Sequence, residues 1–129
     1  MTGSNAFNYI NILNKAADAS WTRNELLTNN LANVSTPDYK RKDIEFQTYL
    51  ARELRGKGNL DQKVAKADLN SLEATVYTDH SSLSYRFDGN NVDIDTESAN
   101  LAETQIRYYA LLDAMTQEFS RIKSVLTNN

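Results

Sequence analysis

Along the first third of the chain, positions spaced alternately three and four residues apart read Ile10, Leu13, Ala17, Ser20, Asn24, Leu27 and Leu31. That spacing keeps side chains on one face of an α-helix, and here the row is apolar at both ends and polar in the middle. No glycine or proline interrupts residues 4 to 36, and Ser4 or Asn5 offers an N-cap. The pattern therefore predicts a helix from about Ser4 to Asn33, ~45 Å long at 1.5 Å per residue. It ends near Val34-Ser35-Thr36-Pro37, because the residue before a proline is pushed out of the helical region.

The other end repeats the theme more regularly. Leu101, Gln105, Tyr108, Leu112, Met115, Phe119, Ile122 and Leu126 keep heptad spacing inside a second stretch without glycine or proline, Asp95 to Leu126. Asp95 or Thr96 can cap it, and Glu97 puts negative charge in the first turn, where the helix dipole favours it. A lone helix cannot bury such a stripe, and the N-terminal helix is the nearest partner of similar length. The polar positions Ser20, Asn24 and Gln105 weaken an isolated pair while helping to set its register.

Between the helices the pattern is irregular. Ile44-Glu45-Phe46 alternates, Arg52 to Gly58 is basic and broken by glycine, and Asp61 to Glu73 is polar with scattered leucines and ambiguous in state. Ala74–Tyr77 and Leu83–Phe87 have the β-branched and aromatic bias of short strands, and Asp88-Gly89-Asn90-Asn91 is a strong turn signal. Val92 and Ile94 can extend a strand beyond that turn. The expectation is a mainly α chain: two long terminal helices joined by an extended middle segment with a small β-hairpin-like element.

Composition narrows the chemistry. The 129 residues are 40% hydrophobic with a formal charge of -3, so no broad basic field attracts nucleic acid or acidic membranes. The chain has no cysteine, which removes disulfides, thiolate nucleophiles and Cys-ligated metals. No stretch approaches the ~18–20 apolar residues of a membrane span, and Tyr9 to Leu13, interrupted by Asn11, makes no secretory signal core. His80 is the only histidine and sits in the polar run Thr78 to Ser82, the setting of a solvated loop residue and not of a triad. A calcium loop starting at Asp88 would need an oxygen ligand at Val92, glycine at Asp93 and glutamate at Ala99, and fails at all three. Lys40-Arg41-Lys42, with Asp38, Asp43 and Glu45 around it, reads as a solvated or interfacial strand edge. No enzyme constellation, cofactor site, nucleic-acid surface or small-molecule substrate site is expected.

At the end of the first helix stands Asn29-Asn30-Leu31-Ala32-Asn33-Val34-Ser35-Thr36-Pro37-Asp38-Tyr39-Lys40. It resembles the N-terminal signature of the flagellar axial proteins, the rod, hook and related subunits, whose usual form is A-N-N-[LI]-A-N-x-x-T-P-G-Y. The matching positions are Asn30, Leu31, Ala32, Asn33, Thr36, Pro37 and Tyr39, while Thr28 and Asp38 stand where alanine and glycine are usual. Arg41 to Phe46 and the turn Asp88, Gly89, Asn90, Val92, Asp95 into the last helix resemble the proximal rod members of that family. Physically, Asn29, Asn30 and Asn33 gather where a helix must stop, which suits a residue that bonds backbone at caps and turns.

The resemblance implies a structural subunit of the proximal rod of the bacterial flagellar basal body. Residues 1–36 and 95–129 would form an axial core domain, paired as an antiparallel coiled coil, and 37–94 a connector. Packing and assembly would rest on Ile10, Leu13, Leu27 and Leu31 with Leu101, Tyr108, Leu112, Met115, Phe119, Ile122 and Leu126. It further implies a hollow helical drive shaft built with copies of itself and other rod proteins, seated on a ring or adaptor protein at the rod base. Export would run through the flagellar type III apparatus without a cleaved signal, with Phe46 and Leu50 matching the export gate's F-x-x-x-hydrophobic element. The location would be the rod, outside the cytoplasmic membrane. The alternative from the residues alone is a soluble helical-hairpin adaptor or export-chaperone binding module.

Overall fold

The computed structural model describes residues 3–127 apart from Lys57 and Ser84. Helix α1 spans Gly3–Ala32 and the last helix, α4, spans Ile94–Thr127. Between them come β1 (Lys42–Glu45), α2 (Gln47–Glu53), α3 (Leu60–Lys66), a 3₁₀ turn at Leu69–Ser71 and β2 (Thr75–Thr78). The long helices pack together and run antiparallel: Asn30 meets Glu97, Arg23 meets Thr104, and the rings of Trp21 and Tyr108 lie 5.5 Å apart. None of the described helices is long and apolar enough to cross a membrane.

The middle segment folds back along α1. Phe46 enters a small core with Ile12, Ala19, Val64 and Leu72, so α1 is covered by α4 on one side and by α2, α3 and the sheet on another. Burying these apolar side chains is the main drive for that docking. Local caps hold the short helices in place. Asn59 Oδ1 accepts from the Gln62 N–H at 2.9 Å, and Glu53 accepts from the Asp68 N–H (3.0 Å) and the Ser71 hydroxyl (2.8 Å), tying α2 to the turn beyond α3. Tyr9 donates to Asp61 at 2.6 Å, stitching α3 to α1.

Two expectations need revision here. The strands form a two-stranded antiparallel sheet in which Lys42 faces Thr78 and Glu45 faces Thr75, but it joins β1 to β2 across α2 and α3. Leu83, Tyr85, Arg86 and Phe87 form no strand. The reason is geometric: Asn91 accepts from the Arg41 N–H and donates to the carbonyls of Asp79 and Ser81, which draws the chain leaving β2 toward the end of α1 instead of back along the strand. The seam of α4 also differs. Gln105, Leu112, Phe119 and Leu126 are exposed, and the positions most buried against α1 are Glu97 and Thr104. On α1 the anticipated row does face inward, with Ile10, Ala17, Ser20 and Leu27 buried.

Candidate functional site: the joint between the long helices

Where α1 stops, two buried asparagines tie the turn that follows it to the rest of the chain. Asn90, from the turn before α4, donates to the carbonyls of Asn33 (2.9 Å), Val34 (3.1 Å) and Thr36 (2.9 Å), and its Oδ1 accepts from the Val92 N–H at 2.7 Å. Arg86 adds a bond to the Val34 carbonyl at 2.8 Å. Asn30 is fully buried, 0% exposed. It donates to the Lys42 carbonyl (2.8 Å) and Glu97 Oε2 (3.3 Å) and accepts from the Lys42 N–H (3.0 Å) and the Tyr39 hydroxyl (3.1 Å). One amide thus uses its whole hydrogen-bonding capacity to tie α1, β1, Tyr39 and α4 together.

The turn geometry fits these bonds. Asp38 has φ 59, and it alone among described non-glycine residues has positive φ; its N–H donates to the Asp88 carbonyl at 2.8 Å. Aspartate tolerates that left-handed conformation better than most residues. Gly89, at φ 78, lies so close that a Cβ there would run into the Asp38 carboxylate. The N-cap of α4 is Asp93, whose carboxylate accepts from the Asp95 N–H and the Thr96 hydroxyl, so the cap sits slightly upstream of the anticipated Asp95 or Thr96.

Beneath the asparagines lies a charged network. Arg41 pairs with Glu97, with Asp43 at 3.0 Å and with Asp79 at 3.3 Å, and Arg23 bonds Asp43 at 2.9 Å and the Thr104 hydroxyl at 3.3 Å. Burial works against the charge on Arg41, but its bonds to Glu97 and Asp43 outweigh this and hold its pKa above the ordinary value. Burial likewise disfavours the Asp43 carboxylate, and the bonds from Arg23, the Ile44 N–H and Arg41 more than compensate, so its pKa is lowered. Burial, aided by nearby Glu97, pushes the Tyr39 phenol up. Arg41 is therefore not on a solvated strand edge: its side chain is 13% exposed, and Glu97 at 1% is a buried partner as well as a favourable charge at a helix start.

The remaining anticipated positions fall as follows. Val92 is buried, Leu31, Asn33 and Tyr39 are half-buried, and Ala32, Thr36, Pro37 and Asp95 are exposed. Phe46 is buried and Leu50, on α2, is half-buried. On α4, Leu101, Tyr108, Met115 and Ile122 are half-buried, while Phe119 and Leu126 are 53% and 71% exposed. Arg23, Asp43, Asn91 and Glu97 belong to the joint but were not among the anticipated site residues. The only sequence trace of the network was the alternation of basic and acidic residues around β1. His80 is exposed, and no group of three or more His, Cys, Asp or Glu among the described residues could hold a metal ion.

No protein-family model matches the chain. Known proteins do. The flagellar basal body rod protein FlgB of Bacillus subtilis is 34% identical over 116 residues, covering 89% of this chain and 90% of that protein. FlgB of Cereibacter sphaeroides is 36% identical over 81% of this chain and 83% of its own length. FlgB of Escherichia coli is 29% identical over 81% of this chain and 82% of its own. The first two similarities exceed 30% identity over more than four fifths of both chains, and on that footing the chain belongs to the FlgB family of flagellar basal body rod proteins.

Proposed function

We propose that this protein is a non-enzymatic structural subunit of the proximal flagellar rod that builds a hollow, helically wound shaft through its terminal helices. Residues 1–36 and 95–129 act as one core domain, their helices paired as a coiled coil, and 37–94 as a connector that reaches neighbouring subunits. The partners are copies of the chain, other rod proteins, and a ring or adaptor protein at the rod base. The subunit reaches the rod, outside the cytoplasmic membrane, through the type III export gate without a cleaved signal, and Phe46 and Leu50 are the residues assigned to gate recognition.

The observation that carries most weight is the apolar surface left on α4 after the chain has packed on itself. Ile106, Tyr109, Leu112, Phe119, Val125 and Leu126 all remain exposed. A free monomer gains nothing from such a surface, whereas a polymer buries it. The joint complements this by fixing the angle at which the helices leave the middle segment. Deleting the gene in its host is expected to abolish rod, hook and filament, with motility restored by the wild-type copy. Swimming by the deletion strain would remove the proposal.

A further inference from the structure

The peptide bond between Asp88 and Gly89 carries a chemistry of its own. The chain's four glycines follow Thr2, Arg55, Lys57 and Asp88, so one of them follows an aspartate and none follows an asparagine. At Asp88–Gly89 a side-chain carboxyl therefore stands beside a backbone nitrogen that no side chain of its own residue shields. Such a nitrogen can attack the carboxyl carbon: the nitrogen loses its proton, the carboxyl loses its hydroxyl, the two leave as water, and a five-membered succinimide closes. Water then opens the ring, and opening at the main-chain carbonyl leaves isoaspartate, with the backbone rerouted through Cβ.

We infer that Asp88–Gly89 is a site of covalent ageing by isoaspartate formation, and that the folded joint protects it through Arg86. The Asp88 carboxylate accepts from Arg86 Nε at 3.2 Å and Nη2 at 2.9 Å, one on each oxygen, and from the Asn90 N–H at 3.1 Å. Arg86 is itself anchored on the carbonyls of Val34 and Val92. Ring closure needs a neutral carboxyl, because only then can the departing oxygen leave as water, and the guanidinium favours the ionised form. The carbonyls of Asp88 and Gly89 are held by the Asp38 N–H and by Lys40 Nζ, which resists turning of the backbone toward closure. Unfolding removes all of these restraints at once. The product has one more backbone atom just ahead of Asn90 and Asn91, which shifts them away from the carbonyls of Asn33, Val34 and Thr36 and from the Arg41 N–H that they bond in the joint.

The test is to age purified full-length protein at neutral pH, in buffer alone and in guanidinium chloride, and to quantify isoaspartate at residue 88 by peptide mass spectrometry with electron-transfer fragmentation. Isoaspartate is expected to accumulate at least ~tenfold faster in denaturant, because the native chain reacts only through local opening. In buffer alone, Arg86→Gln is expected to react about three- to tenfold faster than the wild type while keeping native circular dichroism, since it lacks the charge that holds the carboxylate ionised. Arg86→Lys, which keeps the charge but not the two-pronged hold, should fall between them and decides the matter if Arg86→Gln loses its fold. Asp88→Glu, which can close only a six-membered ring, should give no product under either condition. Equal rates in folded and unfolded wild type would overturn the proposal, as would a wild-type rate in whichever Arg86 variant stays folded. Product that persists at this position in Asp88→Glu would overturn the succinimide route.

Discussion

Asn30 shows how much one side chain can hold. Its amide bridges α1 directly to both β1 and the first turn of α4, through Lys42 and Glu97. Alanine at that position leaves the buried carboxylate short of a donor and the Lys42 backbone without its partner. The expected loss is about 2–3 kcal/mol, since an unmade buried hydrogen bond costs more than a made one contributes; a urea titration would measure it. Gly89→Ala is expected to cost more than ~1 kcal/mol, because the new methyl meets the Asp38 carboxylate and the backbone sits in the left-handed region. Unchanged urea midpoints in both variants would show that the joint does not hold the monomer together.

At the scale of elements, β1 is held to both helices by charge. The folded-state pKa of Asp43 is depressed, so the stability it contributes is complete above its unfolded value near 4 and is lost as pH falls through the folded value. Asp79 and Asp88 are lowered as well, by hydrogen bonds from the Ser81 N–H and from Arg86 respectively, and act in the same direction. Urea midpoints are therefore expected to fall as pH drops from about 5 to about 2. The fall should be smaller in Asp43→Asn, which has no such carboxylate to protonate. The same elements show what was legible in advance. The long helices were, because residues 4–36 and 95–126 carry no breaker and repeat with helical spacing. Strand β2 was nearly placed, from Ala74–Tyr77, while β1 showed only as the alternation Ile44-Glu45-Phe46 and the strand anticipated at Leu83–Phe87 did not form. Their pairing was not, because register across α2 and α3 depends on where Asn91 draws the chain, and nothing local announces that. Helix α3 hid in a polar stretch whose one buried residue, Val64, is too little to make a period. On α4 the heptad identified apolar positions correctly but not their partner: the Arg41–Glu97 and Arg23–Thr104 contacts rotate the helix so that part of the stripe points outward.

For the whole molecule, the proposed assembly predicts a division between residues that hold the monomer and residues that meet neighbours. Leu27 is 0% exposed, and Leu27→Ala is expected to destabilise the monomer by about 2–5 kcal/mol, as large-to-small changes in a packed core do. Phe119→Asp is expected to shift monomer stability by less than ~0.5 kcal/mol, like other surface changes, yet to prevent incorporation into rods. Thermal melts alongside basal-body immunoblots would separate the two effects; equal melting losses in both variants would contradict the division.

The bonds from Asn90 to the turn after α1 also bear on the order of folding. A chain emerging amino end first exposes α1 long before residue 90 appears, and Glu97 later still. Until then the Val34 carbonyl lacks both of its donors, Arg86 and Asn90, and the inward row of α1 has no opposite helix. The pairing of α1 with α4, unlike its packing on Phe46, Val64 and Leu72, is thereby deferred until nearly all of the polypeptide has emerged.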